Sequence, residues 1–588
     1  MGKISVLRIY LAQINPTVGD IKENYDKITS HIREAKKGCS DIAIFPELSI
    51  TGYPPEDLLY KNSFIGENIE YINKLKKLTS NIIVIVGFVN RKNNGIYNSA
   101  AVIYKNQIKY IYNKQFLPNY SVFDEERYFK KGHDSCVLKI GDFISGINIC
   151  EDLFYPEGPS RIQSILGEAG LIINISASPY HTGKIKERMT VLTDTAVGNR
   201  VNIAYLNMIG GQDELVFDGN SLIMNEKGKV LARAKSFTED ALIYDFKSEE
   251  IKSLKSKYKK QIEKDKVKLL KEYSPPALID LMYGQDNEKK KILKYKNTAG
   301  PSRHIITAEE EIFDALILGT RDYVKKNRFE KVIIALSGGI DSVLTAVIAA
   351  LALGKENVNA LLMPSPYSSK GSIDDSVQLC ANLGIKYIII SIADIYKSYL
   401  KNLNKILNAS EINVTMENLQ ARIRGNITMA LANENHWMVL STGNKSEISV
   451  GYCTLYGDMA GGFSPIKDIY KTMVYRISKF VNKKYSNLIP ESTITKVPSA
   501  ELRPDQKDED TLPPYEILDP ILKAYIEDDL DFKSIVQKGF DEKTARKIIN
   551  MVDSSEYKRR QGSPGIKITP RAFGKDRRYP ITNGFRQY

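Results

Sequence analysis

The feature that most limits what this chain can become is an alternation that occurs twice. Short runs of β-branched and other apolar residues are each followed by a stretch with helical spacing, and one lysine-rich interval separates the two series. In the first ~245 residues the runs are SVLRIYLAQ, DIAIFPE, NIIVIVGFV, SAAVIY, FISGINIC, GLIINIS and VNIAYLN, with KENYDKITSHIREAKK among the helical stretches. From near Ile305 the helical EEIFDALILGTRDYVKK leads to the strand KVIIALS, the helix SVLTAVIAALAL, the strand VNALLMP, a further helix and the strand KYIIISI. Strand, helix, strand at that spacing forces a crossover connection, so the second half predicts a doubly wound parallel sheet covered by helices. The first half predicts a layered α/β domain of a different kind. The expected organisation is a domain at residues 1–246, a basic helical connector at 247–300 and a second domain at 301–588.

The formal net charge of +13 raises nucleic acid as a partner. Its distribution argues otherwise. Lys247–Glu272 carries ten lysines against five acids, Tyr557–Tyr588 nine basic residues against one acid, and the rest of the chain is balanced. A basic groove through both halves is therefore not expected, and the first segment reads as a solvated helical connector. The longest strongly apolar run, Ile82–Val89, falls far short of the ~20 residues that span a bilayer, so no membrane insertion is expected. The start, MGKISVLRIYLAQ, lacks the apolar stretch and cleavage site of a secretory signal. Five scattered cysteines without a CxxC pair indicate reduced thiols and a cytoplasmic location.

Three reactive residues in the first half each stand at a strand end: Glu47 after DIAIFP, Lys114 after KYIYN, and Cys150 at the close of FISGINIC. Open α/β sheets place their sites there. Together they suit amide cleavage, in which a thiolate attacks the carbonyl, a carboxylate moves protons and an ammonium supports the oxyanion. Taken singly, each has a plain structural reading: a buried thiol, a surface lysine, a helix-capping glutamate. The surrounding motifs FPELSITGYPPEDLL, KQFLPNYSVFDEERYF and GINICEDLFYP resemble the glutaminase domain of the nitrilase superfamily over most of residues 1–245. The resemblance implies an α-β-β-α sandwich, with Cys150 as nucleophile, Glu47 as general base and Lys114 as support for the tetrahedral intermediate. It also implies Glu125 as an accessory carboxylate, and Tyr120, Ser178 and Lys184 as contacts to L-glutamine, with Ser176 an alternative to Ser178. A partly accessible Cys150 with its thiolate favoured by Lys114 is expected.

In the second half, KVIIALSGGIDSVLTAVIAALAL combines a buried strand, a glycine-rich turn and a helix start, which is an anion cradle. It is neither a GxxxxGK[ST] loop nor a GxGxxG motif. SGGIDS resembles the loop of the ATP pyrophosphatases, the adenine-nucleotide alpha-hydrolase type of fold. That implies Ser337, Gly338, Gly339, Asp341 and Ser342 around the pyrophosphate end of ATP, with Asp341 also placed for Mg²⁺. On ENLQARIRGNITMALANE, Asn418 and Arg422 lie four apart on one helical face. A Thr-Gly-Asn turn then ends a strand, with Glu447 five residues beyond Thr442.

These segments, with PSAELRPDQKDEDTLPPYEILD and the tail YKRRQGSPGIKITPRAFGKDRRYPIT, resemble the synthetase domain of the glutamine-dependent NAD synthetase family. The resemblance implies ATP contacts from Met363, Thr442, Lys471 and Ser499. Contacts to deamido-NAD are implied from Asn418, Arg422, Glu447, Asp458 and Lys558, and a second Mg²⁺ ligand from Glu447. Relative to the short ammonia-using members, Leu455 stands where a lysine is expected and Gly462 where an aspartate is. Lys558, Arg559 and Arg560 would neutralise phosphates. The implied function is amidation of deamido-NAD to NAD with ATP and with ammonia from L-glutamine, passed internally, in a homo-oligomer. Rival readings are an enzyme that adenylates another acceptor, an amidase carrying a nucleotide sensor, and a nucleic-acid scaffold.

Overall fold

A computed structural model describes residues 5–93, 95–283, 307–407 and 413–587, except for the side chains of residues 404, 405 and 407. The chain divides into two compact units, Met1–Gln212 with Phe217–Ile305, and Asp213–Val216 with Ile306–Tyr588.

The first unit contains β1 (Val6–Gln13), β2 (Ile42–Ile44), β3 (Ile83–Lys92), β4 (Gly95–Tyr104), β5 (Gln107–Asn113), β6 (Cys136–Ile140), β7 (Phe143–Ile149), β8 (Leu171–Ser176), β9 (Asn202–Asn207) and β10 (Ile209–Gln212). After β11 (Leu215–Asp218) come β12 (Leu222–Met224), β13 (Val230–Arg233), β14 (Asp240–Lys247) and β15 (Ala277–Asp280). Thirteen of these strands form a six-stranded sheet, β14-β1-β2-β3-β4-β5, and a seven-stranded sheet, β13-β12-β9-β8-β7-β6-β15. The period-two alternation of each strand decides the layering. Ile9, Leu11 and Ile44 of one sheet meet Ile147, Ile149, Leu171, Ile173 and Ile175 of the other in a single core. Ile172, one residue out of phase, turns to the opposite face and packs with Leu192 and Ala196 of the helix Lys184–Asn199. The helix Ile21–Lys37 buries Ile21, Ile28 and Ile32. This is the expected four-layered sandwich of helices and two sheets.

The interval expected as a solvated connector differs from that reading as far as residue 283. The helices Ser248–Lys257 and Lys259–Leu269 bury Ile251, Leu254 and Leu269, and Leu269 joins Ile165 and Leu166 in a small cluster. β15 then adds to the sheet in parallel with β6, register Ala277↔Cys136 to Asp280↔Lys139. The lysines are compatible with this because most of them occupy the outward faces of helices that keep a narrow apolar stripe. Residues 284–300 of the interval lie outside the described residues.

The second unit is built on a four-stranded sheet of β16 (Val332–Ala335), β17 (Val358–Leu362), β18 (Lys386–Ile389) and β19 (Met438–Leu440). The order is β18-β17-β16-β19 and every pairing is parallel. The chain leaves β16 toward β17 and β18, then returns to the other side of β16. The carboxyl ends of β16 and β19 therefore flank a topological switch point, where crossovers diverge and leave a crevice. The helix Val414–Asn435 packs on β16 and β19, and Ile340–Leu353 on β16 and β17. A separate helical core gathers Leu518, Ile521, Leu522, Ile535, Ile548 and Ile549. Among the described residues, no helix is long and apolar enough to cross a membrane.

Candidate active sites

In the first unit, β2, β5 and β7 deliver Glu47, Lys114 and Cys150 to one buried place. Glu47 follows β2 after Phe45 and Pro46, and its backbone lies so near β3 that a Cβ on Gly87 would sit 2.4 Å from Pro46 O and 2.7 Å from Glu47 C. The Glu47 carboxylate is fully buried. Its Oε1 accepts from Lys114 Nζ and from Asn98 Nδ2, both at 2.7 Å, and its Oε2 accepts from the Ala177 N–H at 2.8 Å. Lys114 Nζ also donates to Glu125 Oε1 at 2.9 Å, and Tyr53 donates to that same oxygen at 2.9 Å. Burial first, and then Glu47, pushes the Glu125 carboxyl up to about 7 despite Lys114. Burial opposes the Lys114 charge as well, but the two carboxylates prevail and hold its pKa well above the ordinary value.

Cys150 sits at φ +44° in the turn that ends β7 and is 5% exposed. Here the structure departs from the sequence expectation of an accessible thiol with a favoured thiolate. Burial, then Glu47, pushes the thiol well above its ordinary value and outweighs Lys114, whose ammonium is shared by two carboxylates. These surroundings favour the neutral thiol of Cys150 over its thiolate.

Asp152, which the sequence reading passed over, organises this turn. Its Oδ1 accepts from the N–H groups of Gln115 and Phe116, both at 2.9 Å. Its Oδ2 accepts from Tyr112 Oη at 2.8 Å and from the Ile149 N–H at 3.1 Å. One carboxylate thus fixes the residues that follow Lys114 and the one that precedes Cys150. The only available signal was its place in the CED triplet.

Of the expected glutamine contacts, Glu125 belongs to this cluster and the others stand in its surroundings. The Tyr120 hydroxyl is directed at Glu151, 3.0 Å away, with the side chain 52% exposed. Ser178 accepts from Arg188 Nη2 through its hydroxyl at 3.3 Å, and Arg188 is locked to Asp218 at 2.9 Å. Lys184 reaches Glu187 at 3.1 Å. Ser176, the alternative to Ser178, donates to Asn174 Oδ1 at 2.7 Å.

In the second unit a cavity of about 320 Å³ opens at the switch point and is lined by Ser337, Gly338, Gly339, Asp341, Ser342, Met363, Thr442, Glu447, Asp458, Lys471 and Ser499. Eleven of the expected residues therefore share one wall system. Gly338 has φ +79°, and a Cβ there would lie 2.4 Å from Ser372 O, so the turn requires glycine. The Ser342 hydroxyl donates to Gly339 O at 2.9 Å and accepts from the Ser337 N–H at 3.2 Å, closing the turn on the start of the helix Ile340–Leu353.

Opposite it, Lys471 Nζ bridges Asp341 Oδ2 at 2.5 Å and Glu447 Oε1 at 3.1 Å. Burial, with Asp341 and Asp508 adding like charge, pushes the Glu447 carboxyl up to about 8 against Lys471. Two carboxylates facing one cavity beside a glycine-rich turn at a helix N-terminus are hard oxygen donors of the kind that Mg²⁺ takes when polyphosphate and water complete its shell. The residues present fit that ion.

Asn418, Arg422 and Lys558 do not line the cavity. All three hold one loop: the Thr454 hydroxyl donates to Asn418 Oδ1 at 2.7 Å, Arg422 Nε donates to Leu455 O at 3.2 Å, and Lys558 Nζ donates to Gly451 O at 2.8 Å and Cys453 O at 3.0 Å. On the same helix the lining residues are Ala421, Arg424, Gly425 and Thr428. Arg424 is thus the arginine that the i, i+3, i+4, i+7 pattern places on the cavity, a face the sequence reading did not choose. Its Nε donates to Met363 O at 3.0 Å, and burial, partly offset by Glu501, lowers its pKa to about 10. Lys496, Asp508 and Arg559 also line the cavity. Arg560, expected to neutralise phosphate, pairs with Glu556 at 2.8 Å.

Comparison with known proteins places these two sites in context. A family model for carbon-nitrogen hydrolases matches residues 8–256 and one for NAD synthases matches residues 312–562. The chain is 47% identical to the glutamine-dependent NAD(+) synthetase of Thermotoga maritima over 584 residues, 99% of each chain. It is 45% identical to that of Aquifex aeolicus over 99% of this chain and 100% of the relative. The solved glutamine-dependent NAD+ synthetase of Acinetobacter baumannii, in complex with ADP, is similar at 38% identity and TM-score 0.73, covering 99% of this chain and all of that one.

Proposed function

Because the chain belongs to the family of glutamine-dependent NAD(+) synthetases, we propose that its two clusters divide one reaction between them. The activity is ATP-dependent amidation of deamido-NAD to NAD with nitrogen from L-glutamine, giving glutamate, AMP and pyrophosphate. At the first site Glu47 takes the Cys150 proton as sulfur attacks the glutamine amide carbon, since a buried neutral thiol needs a base at the moment of attack. Lys114, already positioned by Glu47 and Glu125, donates to the developing oxyanion. The tetrahedral intermediate expels ammonia with a proton returned through Glu47, and water then opens the thioester. Tyr120, Glu125, Ser178 and Lys184 are assigned to glutamine.

At the second site the nicotinate carboxylate of deamido-NAD attacks the α-phosphorus of ATP and pyrophosphate leaves. Ammonia then adds to the acyl adenylate and AMP departs. Ser337, Gly338, Gly339 and Ser342 cradle phosphate, Thr442, Lys471, Ser499 and Met363 complete the ATP contacts, and Glu447 and Asp458 serve deamido-NAD directly, with Asn418, Arg422 and Lys558 serving it through the Gly451–Leu455 loop that they hold. Asp341 and Glu447 would hold Mg²⁺, which when bound offsets the charge of the leaving pyrophosphate. The observation carrying this reading is the buried Glu47–Lys114–Glu125 cluster beside Cys150 in one unit and a phosphate cradle facing Asp341 and Glu447 in the other.

A homo-oligomer in the cytoplasm, binding neither nucleic acid nor membrane, completes the proposal. Its five cysteines carry no disulfide, which suits a reducing compartment. Edge strand β18 exposes Tyr387, Ile388 and Ile389, an apolar strip that suits a second copy; light scattering at the mass of one chain would remove the oligomer. The test of function is NAD formation from deamido-NAD, ATP and Mg²⁺ with glutamine or ammonium as donor. Cys150→Ala abolishes glutamine-driven synthesis and keeps ammonium-driven synthesis. Wild-type protein that makes NAD from neither donor, or that retains glutamine-driven synthesis without Cys150, overturns the assignment.

A further inference from the structure

The two carboxylates assigned to the divalent cation already share a cation of the chain's own. Lys471 Nζ lies between Asp341 Oδ2 and Glu447 Oε1, and its side chain is 4% exposed, whereas theirs are 15% and 18% exposed. Asn444 holds the Asp341 carboxylate and caps the backbone at Glu447 independently of the lysine. Asn444 Nδ2 donates to Asp341 Oδ1 at 2.9 Å, and Asn444 Oδ1 accepts from the Glu447 N–H at 3.0 Å. Lys471, by contrast, opens the helix Lys471–Lys484, where the backbone dipole disfavours a positive charge. The attraction of the two carboxylates, with Asp508 adding to it, is what brings the ammonium there.

Resting on the reading that this cavity takes ATP and Mg²⁺, we propose that Lys471 is an internal stand-in for the divalent cation. In the nucleotide-free chain it neutralises Asp341 and Glu447 and keeps the pair from repelling across the cavity. A divalent ion cannot share the pair with the ammonium at contact distance, because like charges in a partly buried site repel strongly. Metal therefore seats only when the ammonium has another anion to follow, and the phosphates of ATP at the Ser337–Ser342 turn, which lines the same cavity, are that anion. Metal and nucleotide enter together, and Lys471 passes from carboxylates to phosphate as they do. The lysine is thus a positioning residue for the metal as well as a contact to ATP.

The test is Mn²⁺ binding to the full chain, followed by electron paramagnetic resonance, with and without α,β-methylene-ATP. Without nucleotide, Lys471→Met binds Mn²⁺ about tenfold more tightly than wild type, and Lys471→Arg, which keeps the charge, stays within about threefold of it. Adding the analogue tightens Mn²⁺ about tenfold more in wild type than in Lys471→Met, where its phosphates still add ligands but no ammonium remains to displace. Mn²⁺ also raises the melting temperature of Lys471→Met more than that of wild type. Should the methionine variant not fold, Lys471→Gln replaces it with the same expectations. Wild-type protein that binds the analogue, alongside a Lys471→Met that binds Mn²⁺ no more tightly than wild type, overturns the stand-in alone. Wild-type protein that does not bind the analogue overturns the reading of the cavity and the stand-in with it.

Discussion

Asp152→Asn isolates what holds Cys150 in place. The carboxylate is fully buried and accepts four hydrogen bonds, two on each oxygen, from Gln115, Phe116, Tyr112 and Ile149. An asparagine keeps one acceptor oxygen and presents an NH₂ group in place of the other. Whichever way the amide is turned, two donors that bonded to oxygen then face N–H. Hydrogen bonds to a charged acceptor are worth roughly 1.5–3 kcal/mol each, so the loss is about 3–6 kcal/mol, concentrated at the turn that carries Cys150 and the segment after Lys114. A displacement of about 1 Å at reacting atoms costs on the order of 10²-fold in rate. Glutamine hydrolysis should therefore fall about 10²-fold, while ammonium-driven NAD synthesis in the same preparation stays within about twofold of wild type. Calorimetry should show a lower melting transition. A variant that hydrolyses glutamine at the wild-type rate would refute the reasoning, as would a folded variant in which both activities fall together.

Three further outcomes follow from the geometry. Gly338→Ala places a Cβ 2.4 Å from Ser372 O in a left-handed conformation; backbone on both sides cannot yield without opening the cradle, so ammonium-driven synthesis falls about 10²-fold and glutaminase activity assayed alone is unchanged. Burial raises Glu125 to about 7, and Asp152 and Asp458 each to about 6, so the folded chain binds more protons than the unfolded one between the ordinary carboxylate range and those values. That stability is fully present below about pH 4 and is lost as the pH rises through about 6 to 7; the melting temperature of metal-free protein should decline from pH 5 to 8, less steeply in Glu125→Gln, and equal slopes would count against it. Ile389→Lys on the exposed edge strand β18 should reduce the mass seen by light scattering while leaving the melting temperature within a few degrees.

The parts of this molecule that were legible in the sequence are those fixed by local rules. Period two on β8 separates Ile172 from Ile173, and so sets both layers of the first unit before any tertiary contact is known. The SGGIDS turn demands glycine at a left-handed position and opens a helix at a strand end, so the place of Gly338 and its neighbours on the cavity wall was legible from six letters. What escaped was decided by partners distant in sequence. Asp152 matters because of Tyr112, Gln115 and Phe116, some 40 residues earlier on a different strand end. Arg424 rather than Arg422 lines the cavity because the loop at Gly451–Leu455 covers one side of the helix, which no spacing within the helix reveals.

Charge shows the same division most plainly. The tail after Tyr557 counts nine basic residues against one acid and reads as a field waiting for phosphate. In the fold Lys567 is buried against Asp576, Glu556 binds Arg559 and Arg560, and Lys558 is spent on the carbonyls of Gly451 and Cys453. Of Lys558, Arg559 and Arg560, the one that lines the cavity is Arg559. A window of sequence sums charges, whereas the fold first pairs them with one another. Lys471 too is paired, with Asp341 and Glu447. Under the proposed function the phosphates of ATP would therefore compete with those carboxylates for this cation, and a divalent ion is what the carboxylates would receive in exchange.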